Sequence, residues 1–268
     1  MTTRLTYSTP EDPVLKKLAI YSIENLTGRK KLQKKYEQFI RLNPSKKDIW
    51  QLMLEILEIR PEYDTGQLQK IDLSKPTIFI ANHPFGVVDG ILFGHLVSQL
   101  TEHFYFMVNA ALCKEEILNQ FFLPIDFSPT KKAQLININT KNKALEMLHQ
   151  HYPIVIFPSG GVATSPGFWK KAEELEWKRF VVKLIKKAEA HVVPIYFHGR
   201  NSRLFQIASN ISMNLRLAFR LNEVRNKIGR EFKIEIGDTI HYDTINNKGN
   251  SAQEKLEFLQ RQVEELGG

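Results

Sequence analysis

A histidine and an aspartate stand six positions apart in Asn82-His83-Pro84-Phe85-Gly86-Val87-Val88-Asp89-Gly90. An imidazole oriented by a carboxylate can take a proton from a hydroxyl near neutral pH, which is the work of a general base. On one continuous helix, six positions would rotate the pair about 240° apart, onto different faces. The Pro-Phe-Gly turn removes that objection. Gly86 reaches backbone angles closed to other residues and can bring Asp89 back to His83. A plainer reading stands beside this one: His83 is a structural residue of the turn, and Asp89 is the N-cap of the following helix. Asp89 can do both, and the company of Asn82, Gly86 and Gly90 favours the catalytic pair. A metal site is not expected, because two ligands at this spacing lack a nearby third.

Two further segments carry residues that folding alone does not require. In Pro158-Ser159-Gly160-Gly161 the two glycines leave backbone N–H groups free to approach an anion or a developing oxyanion. An ordinary strand-to-loop turn accounts for them equally well. Ser159 as a nucleophile would make the chain a lipase or thioesterase. A nucleophile elbow, however, has Gly two residues before its Ser, and Phe157 occupies that place. In His198-Gly199-Arg200-Asn201-Ser202, Arg200 can hold a phosphate or carboxylate through a bidentate pair, or form a surface ion pair. Lys131 and Lys132 fall in a loop after Asp126, where they add positive charge to the same mouth or are simply solvated.

The elements that must position these segments follow from periodicity. The apolar run Thr77-Ile78-Phe79-Ile80-Ala81 predicts a buried strand ahead of the His83 turn, and Ile91 to Val97 a helix after it. Further strands are predicted at 104–108, 154–157, 192–197 and 232–236. Helices are predicted near 90–100, 114–121, 140–150, 175–188 and 213–227. This alternation indicates an α/β fold, a mixed and largely parallel sheet flanked by helices. In such sheets ligands gather outside the carboxyl ends of the strands, where all three segments fall. The first sixty residues read as three helices. One carries Leu15, Leu18, Ala19, Ile23 and Leu26 and is ended by Gly28; one runs from about Lys30 to Leu42; one carries Ile49 to Leu57 and stops before Pro61. Residues 1–60 are therefore set apart as a helical segment facing a membrane or a partner, and 61–268 as the catalytic domain. The apolar face of the third helix packs on the protein's own core or on lipid. Ser251 with Glu254 forms a capping box for a final helix.

The 268 residues, 43% apolar and 25% charged, describe an ordinary globular chain. The single Cys113 excludes an intramolecular disulfide and fits a reducing compartment. No apolar run approaches the roughly 20 residues of a spanning helix, and the N-terminus lacks a signal-peptide core. A cytoplasmic protein, soluble or peripheral on the membrane, is expected. The net charge is +8, and residues 1–60 hold 12 Lys/Arg against 7 Asp/Glu. The densest cluster is Arg29, Lys30, Lys31, Lys34 and Lys35. It suits an anionic membrane surface, an acidic protein partner or plain solvation. Nucleic acid ranks below these, because no aromatic-and-basic strand motif or zinc spacing accompanies the charge.

Taken in order, Asn-His-Pro-Phe-Gly-x-x-Asp-Gly, Phe-Pro-Ser-Gly-Gly and Val192-Val193-Pro194-Ile195-Tyr196-Phe197-His198-Gly199-Arg200-Asn201-Ser202 resemble the lysophospholipid acyltransferase superfamily, which includes the glycerol-3-phosphate and lysophosphatidic acid acyltransferases. The nearest branch is the lyso-ornithine-lipid and hemolysin-like acyltransferases. Glu24 to Arg29, Leu54 to Leu57, Ser202 to Gln206 and the region from Arg216 to Asp238 are similar to that branch as well. The resemblance covers roughly residues 20–240, and it rests on the three segments together.

The resemblance implies an α/β catalytic core that transfers an acyl group from a thioester, on acyl carrier protein or coenzyme A, to a lipid hydroxyl. No bound cofactor is implied; the acyl thioester is a co-substrate. His83 would be the base and Asp89 its orienting partner. Asn82, Gly86, Ser159, Gly160, Gly161, Arg200 and Asn201 would bind substrate. The basic cluster from Arg29 to Lys35 would meet the membrane or the carrier protein. The chain departs from the wider superfamily in two respects. It has five residues rather than four between His and Asp, which marks the hemolysin-like branch. It also has Ser159 and Gly161 where the acid and Thr of Phe-Pro-Glu-Gly-Thr usually stand, and only Asn137 and Asn139 where an Arg is often found in the intervening motif. A lyso-aminolipid acceptor, ornithine or glycine, is therefore expected ahead of lysophosphatidic acid. The competing classes are a Ser159 hydrolase and a non-catalytic lipid- or nucleic-acid-binding module.

Overall fold

A computed structural model describes residues 13–26, 28–113, 116–167, 170–211 and 213–268. Seven strands form one sheet: β1 (Arg60–Glu62), β2 (Thr77–Ala81), β3 (Tyr105–Asn109), β4 (Phe122–Ile125), β5 (Ile154–Ile156), β6 (His191–Phe197) and β7 (Glu231–Ile236). Their spatial order is β1-β7-β6-β2-β5-β3-β4. All neighbouring pairs are parallel except β6 with β7. The sheet is thus mixed and largely parallel. β2 lies between β5 and β6 and runs parallel to both, with Phe79 opposite Val155 on one side and Val193 on the other. The carboxyl ends of these three strands open on one edge of the sheet.

Among the described residues there are twelve α-helices: α1 (Val14–Leu26), α2 (Arg29–Leu42), α3 (Ile49–Leu57), α4 (Thr65–Gln69), α5 (Val87–Ser98), α6 (Glu116–Asn119), α7 (Lys131–His149), α8 (Phe180–Ala188), α9 (Arg203–Ile211), α10 (Met213–Asn226), α11 (Tyr242–Asn246) and α12 (Ala252–Glu265). Successive side chains of β2 point to opposite faces. Phe79 and Ala81 join a core with α2, α3 and α5, while Ile78 and Ile80 join a second core with α7, α8 and α12.

α5 is apolar on nearly every side and is buried on nearly every side, from Val88 to Val97. It can be so because α3 covers its outer face. Gly94 permits that approach: a Cβ there would stand 2.3 Å from ring carbons of Trp50. Trp50 in turn packs on Phe104, Phe106 and Phe121. The apolar face of α3 therefore belongs to the protein's own core rather than to lipid. Leu32 and Phe39 of α2 lie in the same core, so α2 and α3 share their packing with the sheet. α1 differs. Leu15 and Leu18 are 82% and 57% exposed, whereas Ile20, outside the expected apolar face, is buried.

Several boundaries differ from expectation for local reasons. β4 carries Pro124, which removes an N–H, and it occupies the sheet edge where that loss is tolerated. α7 begins nine residues before the predicted helix. Thr130 accepts from the Ala133 N–H as its N-cap, which places Lys131 and Lys132 in the first helical turn and not in a loop. The helix predicted over 114–121 is only the short α6, with 114 and 115 outside the described residues. α9 is a further helix that periodicity did not indicate. The Ser251 and Glu254 capping box forms as expected.

Candidate active site

The three chemistry-bearing segments meet at the carboxyl ends of β2, β5 and β6. Asn82 extends β2 by side-chain bonds to the next strand. Its Nδ2 donates to the Phe197 carbonyl at 3.0 Å, and its Oδ1 accepts from the Phe197 N–H at 2.8 Å. The His83 ring stacks on Phe157 with centroids 4.0 Å apart. The His83 carbonyl accepts from the Ala163 N–H at 2.8 Å. A residue at the end of β2 is thereby tied to both neighbouring loops.

Gly86 takes φ 97°, in the region that favours glycine, and turns the chain into α5. Gly86 is the N-cap of that helix, so Asp89 holds the third helical position and not the N-cap considered above. From there its Oδ2 reaches back to accept the N–H groups of Phe85 and Gly86, each at 2.8 Å. The same oxygen stands 2.9 Å from Nδ1 of His83. Asp89 is wholly buried, and the His83 side chain is 15% exposed. Nδ1 is close enough to pair, but the ring is turned out of straight hydrogen-bond alignment. Such bonds commonly tighten when substrate binds. With Nδ1 nearest Asp89, Nε2 is the other ring nitrogen, and a neutral imidazole protonated at Nδ1 can accept a proton there.

Phe85, between the two, is held from three sides. Its ring lies against Gly199, where a Cβ would come within 2.6 Å. Its carbonyl accepts from Asn201 Nδ2 at 3.3 Å, and Lys227 Nζ stands 4.9 Å from its ring centre. Asn201 is buried, and its Oδ1 accepts from Lys227 at 2.6 Å. Lys227 also donates to Glu223 at 2.9 Å, and Glu223 accepts from the Ser202 N–H and hydroxyl. This buried network fixes the turn from behind. Asn201 thus faces protein groups, while Arg200 is exposed on the same loop.

The glycine segment is partly committed. Gly160, at φ 67°, donates its N–H to the Phe157 carbonyl at 2.9 Å. Gly161 has no hydrogen-bond acceptor for its N–H among the described residues. Ser159 is buried, and its hydroxyl donates to the Gly161 carbonyl at 3.0 Å. The Ser159 hydroxyl bonds the Gly161 carbonyl and not Nε2 of His83, so the arrangement is not that of a serine nucleophile hydrogen-bonded to its base. Two partly exposed apolar side chains, Phe127 and Leu175, stand over Gly160 and Gly161.

Sequence reasoning missed Glu174. Thr164 and Glu173 form an antiparallel bridge, which folds the segment after the glycines back on itself. Glu174 then accepts the His83 N–H through Oε2 at 3.0 Å. Its Oε1 is buried without a partner. Burial pushes its carboxyl above the ordinary value, against the opposing pull of the His83 N–H and Ser159. A carboxyl thus stands beside Ser159, close to where the resemblance found one absent. No local pattern could have shown this, because the approach depends on the bridge.

Of the basic cluster, only part faces outward. Arg29 is buried with its guanidinium on Asn25 Oδ1. Lys35 donates to the Ile56 carbonyl and pairs with Glu58 at 2.9 Å. Lys30, Lys31 and Lys34 are exposed. A surface hollow of about 580 Å³ is lined by Arg60, Tyr63, His95 and Glu231. It lies by the last turn of α5, so it is not the His83 site at that helix's start.

Residues 55–266 match the family model described as Acyltransferase. The chain belongs to the acyltransferase family. Among similar curated proteins, a lyso-glycine lipid O-acyltransferase of Phocaeicola vulgatus is 25% identical over 214 residues, spanning 77% of this chain and 73% of the relative. One of the same description from Bacteroides thetaiotaomicron is 24% identical over 237 residues, spanning 84% and 83%. A solved structure, the 1-acyl-sn-glycerophosphate acyltransferase PlsC from Thermotoga maritima, aligns with TM-score 0.49 and 16% identity over 94% of this chain and 97% of that one. The chain is an acyltransferase enzyme built on a mixed α/β sheet.

Proposed function

We propose that this acyltransferase moves a fatty acyl group from an acyl thioester to the hydroxyl of a lyso-lipid, with a lyso-glycine or related lyso-aminolipid as acceptor. The observation that carries the reading is the His83–Asp89 pair at the carboxyl end of β2, in a chain whose relatives are named lyso-glycine lipid O-acyltransferases. The thioester is already activated, so no covalent enzyme intermediate is needed. Nε2 of His83 takes the hydroxyl proton as the acceptor oxygen attacks the thioester carbonyl. The free N–H of Gly161 is the donor best placed to meet the oxyanion. Collapse of the tetrahedral intermediate breaks the C–S bond, and the imidazolium returns its proton to the departing thiolate. Asp89 steadies the imidazolium between these steps. Base catalysis of this kind supplies about 10²–10⁴-fold, and alignment with oxyanion binding supplies the remainder.

The donor, acyl carrier protein or acyl-coenzyme A, and attachment to the inner face of the membrane are parts of the same proposal. No helix among the described residues is long and apolar enough to cross a membrane. Exposed Val14, Leu15 and Leu18 of α1, with the free lysines of α2, support contact with an anionic lipid surface or an acidic carrier. The test is direct. Purified protein, given lyso-glycine lipid and either acyl donor, should yield the diacyl product by mass spectrometry. Release of free fatty acid alone, with water as acceptor, would refute the assignment.

A further inference from the structure

Arg216, near the start of α10, donates from Nη2 to the Val162 carbonyl at 3.1 Å. Val162 follows Gly161 directly, and the next residue, Ala163, is the one whose N–H bonds the His83 carbonyl. Val162 also lies against the His83 turn: a Cβ on Gly86 would stand 3.1 Å from its Cγ2. The guanidinium is therefore anchored on the short link between the glycine segment and the base. Burial disfavours the charge on Arg216, and Arg220, one helical turn further on, adds to that effect. Nε of Arg216 is buried without a partner, and no carboxylate among the described residues forms an ion pair with it. A half-buried cation held on one carbonyl beside a second cation is costly to keep. Such arrangements persist where a ligand supplies the missing charge.

We propose that Arg216, with Arg220 beside it, receives the carboxylate of the acceptor's head group. The inference rests on the lyso-lipid reading above and names the head-group chemistry for that same site. An acceptor whose glycine nitrogen carries the acyl chain presents a free carboxylate, and a guanidinium edge matches its two oxygens. A phosphate monoester fits less well. One edge of the guanidinium is already taken by Val162, which leaves a single edge for a planar two-oxygen ligand. The position also supplies, from α10, the guanidinium that the intervening motif lacks at Asn137 and Asn139. Asn137 is instead bonded to the backbone of Asp126.

N-lauroylglycine tests this without turnover, since it has the carboxylate and the tail but no hydroxyl to acylate. Its binding is compared by calorimetry with that of the neutral N-lauroylglycinamide and of lysophosphatidic acid, for wild type, R216Q and R216K. Wild type should prefer the carboxylate over the amide by about 10- to 100-fold, the range of one charge-assisted pair. R216Q should lose that preference while binding the amide as before, and R216K should keep part of it. With an acylatable acceptor, R216Q should raise KM by a similar factor and leave kcat within about threefold. Should R216Q melt early, R216K carries the comparison, because it retains the charge without the fork. The proposal is overturned if R216Q still prefers the carboxylate, if it weakens both ligands equally, if wild type shows no preference, or if lysophosphatidic acid binds more tightly through Arg216. Arg216-dependent carboxylate binding without any acyl transfer would uphold this site and refute the reading of function. Acyl transfer with Arg216-independent binding would do the reverse.

Discussion

Replacing Asp89 with Asn separates its two roles, because the substitution preserves shape. Oδ2 of Asp89 accepts two backbone N–H bonds at 2.8 Å and stands 2.9 Å from His83. Bonds to a charged acceptor contribute about 1.5–3 kcal/mol each, and neutral ones about 0.5–1.5. An Asn oxygen in the same place keeps both bonds at the weaker value, so D89N should lose about 2–3 kcal/mol. For a chain of this size that is a fall of roughly 5–10 °C in Tm. Asp89→Ala, which leaves both buried donors without an acceptor, should cost about 2–6 kcal/mol. Catalysis should suffer as well. The same oxygen meets the backbone donors and Nδ1, so an Asn oxygen kept there still faces Nδ1 but carries no charge to steady the imidazolium that forms when Nε2 takes the proton. The loss of one bond to a charged acceptor, about 1.5–3 kcal/mol, should lower kcat by about 10–10²-fold. Acyl transfer is assayed well below the melting transition, with Tm measured on the same sample. A D89N protein with lowered Tm and activity within about threefold of wild type would show that Asp89 is a helix cap alone, and the orienting role would be wrong.

Three other substitutions bear on the account. Ser159→Ala should retain acyl transfer within about tenfold, because the hydroxyl bonds Gly161; complete loss in a folded protein would restore the hydrolase reading. Glu174→Gln should change the pH dependence of stability. The Glu174 carboxyl is raised by burial, so its favourable contribution is full below the ordinary carboxylate pKa and is lost as pH rises through the folded value. The variant should therefore gain stability relative to wild type as pH rises above the ordinary carboxylate range in paired thermal melts, and parallel curves would refute the assignment. Lys30, Lys31 and Lys34 changed together to Gln should weaken association with anionic liposomes in a salt-sensitive way while soluble short-chain substrates still turn over. Unchanged flotation at low salt would remove these lysines from the membrane contact.

The extent to which sequence foretold this site follows from the range of the interactions. β2, β5 and β6 are short apolar runs bounded by turn residues, so their carboxyl ends, and hence the meeting of His83, Ser159 and Asn201, could be read locally. The His83–Asp89 pair was legible because Gly86 alone licenses the turn that joins them. β4 was hidden by Pro124, and the start of α7 by its polar Asn-rich turns. Glu174 reaches His83 across 91 positions through the Thr164–Glu173 bridge, and Arg216 reaches Val162 across 54. Neither approach leaves a mark on spacing or periodicity. Asn201 and Lys35 show the opposite case. Polar residues that looked available for ligands are occupied by Lys227 and Glu58, partners that only the fold supplies.

The central claim is that His83 is the base for acyl transfer to a lyso-lipid hydroxyl. Its most direct test is the rate of diacyl product formation by purified His83→Ala beside wild type, with Tm and circular dichroism confirming that both are folded. The account predicts product formation slowed by about 10²–10⁴-fold in a variant with near wild-type Tm, since the ring stacks on Phe157 but carries no core packing that the fold depends on. Turnover close to that of wild type would contradict it.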